Sequence, residues 1–269
     1  MSDVVPPNDA RPSNFRPFAE LICSLSFLTR LPIPFARTLD MPSLAQSMRF
    51  FAVAGAGIGA LNGLVLVGLH WLHVPPLLAA AITCMFGLML TGSLHEDGLA
   101  DSADGLFGGK TREDRLRIMR DSRIGSYGAL ALMTCLLARA ASYEVLLALP
   151  ASTCIIVMAA VGAFSRAMMV DMMWATKLAR SDGLAVLAGR PRRNAALFSI
   201  ITGGALVIAA GFMLRPESGV IAVLAATGVT GLIRRFAMRS IGGQTGDVCG
   251  ATQIIVEITL FAVLLSMIG

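Results

Sequence analysis

Residues 49–73 read RFFAVAGAGIGALNGLVLVGLHWLH, a run of apolar and small residues bounded by Arg49 and His73. A run of this length can cross the hydrocarbon core of a bilayer as a helix, which takes about 20 residues. Its apolar residues do not alternate with polar ones, which favours a helix over a strand of a membrane barrel. The stretch therefore predicts a transmembrane helix.

Similar runs recur along the chain and predict its architecture. Further candidate spans lie at 76–95, 126–149, 151–174, 195–214, 218–233 and 250–268. Hydrophobic residues make up 55% of the 269, charged residues only 14%, and the mean hydropathy is +0.72. These values are far from those of a soluble domain. The expected fold is all-α, a polytopic membrane helix bundle of about seven transmembrane helices.

The N-terminal region differs from the spans. Residues 1–18 are polar and are interpreted as a disordered tail, which leaves residues 19–269 as one integral-membrane domain. Residues 20–34 are apolar but too short to cross a bilayer, and Pro32 and Pro34 close the run. They predict a short interfacial or re-entrant helix.

The basic residues sort to one side of the predicted bundle. With a cytoplasmic N-terminus, all but three of the 22 Lys and Arg residues fall in the first 49 residues or in the loops at 96–125, 175–194 and 234–249. Arg139 and Arg166 lie inside spans, and Arg215 falls on the far side. The positive-inside rule then makes these loops cytoplasmic. The net charge of +5 follows this topology, and no nucleic-acid partner is expected because the basic residues are dispersed.

One of these loops begins with four carboxylates. The segment His95–Gly105 reads HEDGLADSADG. If it is helical, Asp97, Asp101 and Asp104 fall within an arc of about 60°, with Glu96 on the flank. Such a face repels itself unless a cation neutralises it, so we expect Mg²⁺ held by these four residues beside a phosphorylated substrate. A solvated acidic loop is the alternative interpretation.

A basic segment follows, and residues 117–128 read RIMRDSRIGSYG. Arg120 and Arg123 are three residues apart, so both can point the same way on a helical turn, and guanidinium groups suit phosphate oxygens. We predict that Arg120, Asp121 and Arg123 contact substrate. The alternative, that basic residues only mark a cytoplasmic loop, suffices for Arg112, Arg115 and Arg117.

Two glycine-containing turns are weaker candidates. Residues 108–111 read GGKT, but a phosphate loop would need glycine at position 104, where aspartate stands. Lys110 therefore remains a phosphate contact on a flexible turn. Residues 242–247 read GGQTGD, and such a turn can aim backbone N–H groups at an anion while Asp247 contacts a metal or a ribose. An ordinary turn with Asp247 at a helix start is equally compatible.

Several ionisable residues fall inside the predicted spans, namely Arg139, Glu144, Arg166, Asp171 and Glu257. Charges at membrane depth cost several kcal/mol unless they are paired or hydrated, so they should face the bundle interior. Arg139 and Glu144 are five residues apart, as are Arg166 and Asp171, which places each pair on different helix faces. Pairing between helices is therefore expected.

Four segments together carry a resemblance to a known family. They are FLTRLPIP at 27–34, HEDGLADSADG at 95–105, MRDSRIGSYG at 119–128 and GQTGD at 243–247. In type and order they resemble the cobalamin synthase family of adenosylcobinamide-GDP ribazoletransferases. The resemblance covers almost the whole chain beyond the tail.

The resemblance implies a Mg²⁺-dependent enzyme of the inner membrane, with residues 19–269 as its catalytic domain and the active face in the cytoplasm. Its substrates would be adenosylcobinamide-GDP and α-ribazole or α-ribazole 5′-phosphate, and its products cobalamin or cobalamin 5′-phosphate and GMP. The implied catalytic residues are Asp97, Asp101 and Asp104, which also hold the metal with Glu96. Implied substrate contacts are His95, Lys110, Arg120, Asp121, Arg123, Thr245 and Asp247. The general base, a homo-oligomer and association with other corrinoid-assembly enzymes are left open.

Two alternatives remain at this stage. CDP-alcohol phosphotransferases also use a membrane-face cluster of Asp and Gly, but here Ala100 is followed by Asp101 where that motif has Arg, and its later Asp pair is missing. A secondary transporter would explain intramembrane Arg166 and Asp171. It would place its polar groups at the bilayer midplane between repeats, whereas the charge here concentrates at one face.

Overall fold

The computed structural model describes residues 16–33 and 41–268, and within these ranges the chain forms helices and no strand. In chain order the helices are α1 Pro17–Leu28, α2 Leu44–Ser47, α3 Phe51–Trp71, α4 Pro76–Thr91, α5 Leu94–Gly108, α6 Arg112–Ile118, α7 Ser126–Leu146, α8 Ala151–Ala175, α9 Leu184–Ala188, α10 Arg193–Phe212, α11 Ser218–Ile241 and α12 Gly246–Ser266. A short 3₁₀ turn joins α2 to α3.

Six stretches of helix in the described residues are long and apolar enough to cross a membrane: Leu44–Trp71, α7, α8, α10, α11 and α12. Helices α4 and α5 pass the same test only as a pair, which is bent by 92°. The bundle thus has six candidate spans, or seven if the bent pair counts as one. The predicted all-α polytopic bundle is confirmed.

Two predicted spans end differently in the structure. The span predicted at 76–95 breaks after Thr91, because Gly92 and Ser93 both adopt positive φ, at 64° and 56°. The span predicted at 218–233 continues as a helix to Ile241. Its extension includes Arg234, which forms an ion pair with Asp171 of α8. The intramembrane carboxylate therefore pairs between helices, as expected.

The predicted short helix near the N-terminus is α1. It begins at Pro17, inside the interval interpreted as a tail, while residues 1–15 and Pro34 lie outside the described residues. Buried Glu20 ties α1 to the start of the first span through ion pairing with Arg49 at 2.9 Å. After α1, the backbone N–H of Arg30 donates to the Leu90 carbonyl at 2.8 Å, so this segment packs against the bend that follows α4.

The centre of the bundle is the contact between α3 and α8. Gly55, Gly59 and Gly63 follow one another at four-residue spacing along α3 and face α8. A Cβ at Gly59 would overlap the carbonyl oxygen of Met158, so the two backbones approach more closely than any side chain allows. Small residues at such spacing are the usual means of close packing between membrane helices.

We expect Gly59→Ala to destabilise the bundle by about 1–3 kcal/mol, because the added methyl group overlaps a backbone atom that cannot move alone. Gly57→Ala, two residues away on the same helix, is the matched control, since a Cβ there meets nothing within 4 Å. Thermal unfolding of the purified variants in detergent measures the difference. Equal melting temperatures for the two variants would contradict this packing.

Candidate active site

Helix α5 carries the acidic motif and rests against the N-terminal turns of α7 and α12. Gly98 packs against the backbone of Asp247, and Gly250 of α12 packs against the backbone of His95. A Cβ at Gly98 would come within 2.8 Å of the Asp247 carbonyl oxygen, so glycine lets the two helices meet there. This contact brings the 95–105 and 243–247 motifs together.

The loop after α8 completes this side of the site. The backbone N–H of Gln244 donates to the Lys177 carbonyl, and that of Ala179 donates to Gln244, both at 2.8 Å. Arg112 of α6 donates to the carbonyl of Ala179 at 2.7 Å, and Arg115 donates to that of Ser240 at 3.1 Å. Arg112 and Arg115 therefore join loops as well as carrying the charge that a cytoplasmic position explains.

The three aspartates of the acidic face have different surroundings. Asp97 is exposed, Asp101 is half-buried, and Asp104 is buried. The carboxylate of Asp101 is repelled by those of Asp97, Asp247 and Asp104 and attracted by the guanidinium of Arg180. Asp97 and Asp101 have no hydrogen bond or ion pair with any residue of the described ranges. Both therefore remain available to a ligand.

Asp104 is instead engaged with the backbone. Its carboxylate accepts hydrogen bonds from the N–H groups of Gly125 at 2.7 Å and Gly128 at 2.9 Å. These groups belong to the N-terminal turn of α7, where the helix dipole favours a negative charge. A Cβ on either glycine would overlap the carboxylate. Asp104 thus fixes the segment that carries Arg120 and Arg123 next to α5.

Glu96 points away from the three aspartates into the bundle. Its carboxylate accepts from Arg139 of α7 at 2.8 Å, and Arg139 also donates to Glu257 of α12 at 2.8 Å. Arg166 of α8 lies 3.7 Å from the other oxygen of Glu257. Pairing between helices was expected for these arginines, but the sequence gave no partner for Glu96. Its role as a metal ligand stays a prediction that this position does not favour.

We expect Arg139→Met to lower stability by about 3–5 kcal/mol, because it leaves Glu96 and Glu257 buried without their main partner. Arg235→Met, at an exposed arginine of α11, is the control and should unfold at nearly the wild-type temperature. The double variant Arg139→Met with Glu257→Gln should recover part of the loss. A single Arg139→Met variant as stable as the control would contradict a structural role for the network.

The predicted phosphate contacts line an open cavity of about 440 Å³ beside the acidic face. Arg120, Asp121 and Arg123 form one wall, and Asp97 and Asp101 form the opposite one. Arg120 donates to both oxygens of Asp182 at 2.7 and 2.8 Å. The Arg123 side chain and backbone both donate to Asp121, which lowers the pKa of that carboxyl to about 2. Asp121 is therefore ionised at neutral pH and orients Arg123.

The remaining predicted contacts are spread around the site. Thr245 caps α12 by accepting from the N–H of Val248 and donates to Asp247 at 3.1 Å. His95 is buried, with its Nε2 lacking a hydrogen-bond partner in the described part of the chain. Lys110 is exposed in the turn between α5 and α6 and does not line the 440 Å³ cavity. The structure thus joins all of them to the site except Lys110.

Sequence reasoning missed Arg180 and Asp182. Arg180 lies 3.3 Å from Asp247 and 3.7 Å from Asp182, which in turn holds Arg120. These contacts link the 119–128 and 243–247 motifs through the loop after α8. The only sequence signal was a basic residue in a cytoplasmic loop, which topology alone accounts for.

No three His, Cys, Asp or Glu side chains within residues 16–33 and 41–268 are arranged so that they could hold a metal ion among themselves. The donor chemistry nevertheless fits Mg²⁺, because Asp97 and Asp101 are unpartnered carboxylates at a cavity rim. Magnesium is commonly bound through one or two carboxylates together with substrate phosphates and water. The metal-ligand and catalytic assignments of the three aspartates stay predictions.

Comparison with known proteins now identifies the family. The profile of the cobalamin-5-phosphate synthase family matches residues 20–265. The chain belongs to this family. The match includes every motif discussed above, so the resemblance read from the four segments is confirmed.

Curated members of the family are similar over nearly the whole chain. Adenosylcobinamide-GDP ribazoletransferase of Azorhizobium caulinodans is 42% identical over 90% of this chain and 94% of its own length. The enzymes of the same name from Rhizobium johnstonii and Ralstonia nicotianae are 40% and 38% identical, again over 90% of this chain and 94% and 93% of their own lengths. No solved structure matches the chain.

Proposed function

We propose that this chain joins adenosylcobinamide-GDP to α-ribazole or its 5′-phosphate, as its relatives are named for doing. A ribose hydroxyl oxygen of the ribazole forms a bond to the phosphorus next to cobinamide, and the bond from that phosphorus to the oxygen of GMP breaks. The products are cobalamin or its 5′-phosphate, GMP and the hydroxyl proton. The observation that carries the proposal is the cavity where free carboxylates face two arginines.

Opposite walls of this cavity suit opposite parts of a nucleotide diphosphate. Arg120 and Arg123 supply planar guanidinium groups that can bind phosphate oxygens in a fork. In the substrate-free protein they are held by Asp182 and Asp121, both at exposed positions where an ion pair is worth little. A diphosphate can therefore take the place of Asp182 on Arg120 at small cost.

The free carboxylates are the candidates for the metal and the proton. Asp97 and Asp101 would hold Mg²⁺, which supplies charge neutralisation to a diphosphate under attack. One of the unpaired carboxylates of the face accepts the proton of the attacking hydroxyl. Asp104 acts indirectly, because its bonds to Gly125 and Gly128 keep the arginine segment across the cavity from Asp97.

The proposed location of this site is the cytoplasmic face of the inner membrane. All four motifs and all the long loops lie at the ends of the spans where the basic residues collect. GDP-linked substrates are made in the cytoplasm, so this side is the one at which they arrive. The short turns at 72–75, 147–150 and 213–217 lie at the opposite ends of the spans.

Asp97→Asn and Asp101→Asn should each reduce turnover by about 100-fold or more, because each removes a free carboxylate that faces the reacting phosphate. Formation of cobalamin from adenosylcobinamide-GDP, α-ribazole and Mg²⁺ by purified protein measures the effect. Asp114→Asn is the matched control, since Asp114 pairs with Arg117 on the exposed surface of α6.

The melting temperatures of the two site variants should stay near that of the wild type, because neither carboxylate has a partner to lose. Near-normal turnover of both variants would overturn the proposed site. Absence of turnover by the wild-type protein under the same conditions would overturn the proposed reaction.

A further inference from the structure

A second cavity, of about 70 Å³, borders α5 and is not used by the chemistry described above. It lies among α1, α5, α8, α9 and α12, and most of its lining is apolar. The side chains that give it this character are Phe27, Leu94, Met169, Met173, Leu184 and Ala188. Thioether and aromatic side chains of this kind pack well against flat rings.

The charges around this cavity exclude a phosphate group. Its charged lining residues in the described part of the chain are Asp97 and Asp247, and no Lys or Arg lines it. The 440 Å³ cavity has the opposite character, since Arg120 and Arg123 both face it. An anionic diphosphate therefore belongs in the larger cavity, and a neutral ring belongs in the smaller one.

One polar atom in the smaller cavity lacks a partner. His95 lines it, is 2% exposed, and has an Nε2 atom without a hydrogen bond in the described residues. A buried polar atom left in this state costs about 1–3 kcal/mol, which a ligand with a matching donor or acceptor would recover. A ring nitrogen or a ribose hydroxyl supplies such a group.

Asp97 is the residue that lines both cavities. Joining two substrates requires the attacking hydroxyl and the phosphorus to meet at one place, and the two cavities meet at this side chain. From this arrangement we infer that the 70 Å³ cavity is the subsite for the aromatic base of the ribazole, with its ribose directed toward Asp97. The inference rests on the proposed ribazole transfer and adds where the second substrate binds.

The wall formed by α9 is suited to adjust to a ring. This helix has only five residues and lies between Gly183 and Gly189, whose φ angles are 93° and 75°. Glycines in such conformations allow a short segment to shift as a unit. Ala185 and Ala188 face the cavity from this helix, so the size of their side chains sets the space left for the base.

Ala188→Leu tests the subsite by filling it. We expect the KM for α-ribazole to rise by about 10-fold or more, the usual effect of misplaced methylene groups in an apolar pocket. The KM for adenosylcobinamide-GDP should change by less than about twofold, since that substrate occupies the other cavity. The penalty should be smaller for the α-riboside of benzimidazole, which lacks the two ring methyl groups of ribazole.

Two further variants serve as controls. Val186→Leu enlarges a side chain of the same helix that does not line the cavity and should leave both KM values unchanged. Leu136→Phe reduces the larger cavity and should raise the KM for adenosylcobinamide-GDP instead. An equal rise for both substrates in Ala188→Leu, or no rise for α-ribazole, would overturn the inference.

Direct binding separates this inference from the proposed reaction. Titration calorimetry of α-ribazole alone into the purified protein should give a dissociation constant that Ala188→Leu weakens and Val186→Leu does not. Wild-type binding without turnover would contradict the proposed reaction and leave the subsite standing. Turnover with unaltered α-ribazole binding in Ala188→Leu would contradict the subsite alone.

Discussion

The arrangement of the site depends on Arg139, which bridges Glu96 and Glu257 inside the bundle. Charges in an apolar interior are very costly unless each has a partner, so this network fixes three helices relative to one another. Through Glu96 it holds the first turn of α5 against the middle of α7. The next residue, Asp97, is then directed away from the network and into the cavities. One buried interaction thereby places the neighbouring residue that faces ligands.

The other end of α5 is fixed in a different way, by Asp104 at the N-terminus of α7. Between the two anchors the helix cannot rotate, and its successive residues serve different environments. His95 faces the apolar cavity, Glu96 faces the ionic network, and Asp97 lies between the two ligand cavities. The bend before α5 makes this possible, and Arg30 packs against Gly92 at that bend. The 27–34 motif thus supports the 95–105 motif from outside it.

Much of this was readable from the sequence because hydropathy and helical periodicity are local. The spans, the short helix α1 and the shared face of Asp97, Asp101 and Asp104 all follow from spacing along one segment. The partners of Glu96 and Asp104 do not, since Arg139 and Gly125 lie on another helix and only packing brings them near. Arg180 and Asp182 were missed for the same reason. The acidic face was treated as uniform, and the structure divides it between a helix cap and a pair of free carboxylates.

The central claim is that Asp97 and Asp101 receive the diphosphate of one substrate while the other approaches from the apolar side. A structure of the protein with adenosylcobinamide-GDP and Mn²⁺, whose anomalous signal identifies the metal, tests it most directly. The account predicts the metal on the carboxylates of Asp97 and Asp101, with the diphosphate in the larger cavity and Arg120 turned from Asp182 toward it. A metal bound away from both aspartates, or a diphosphate in the apolar cavity, would contradict it.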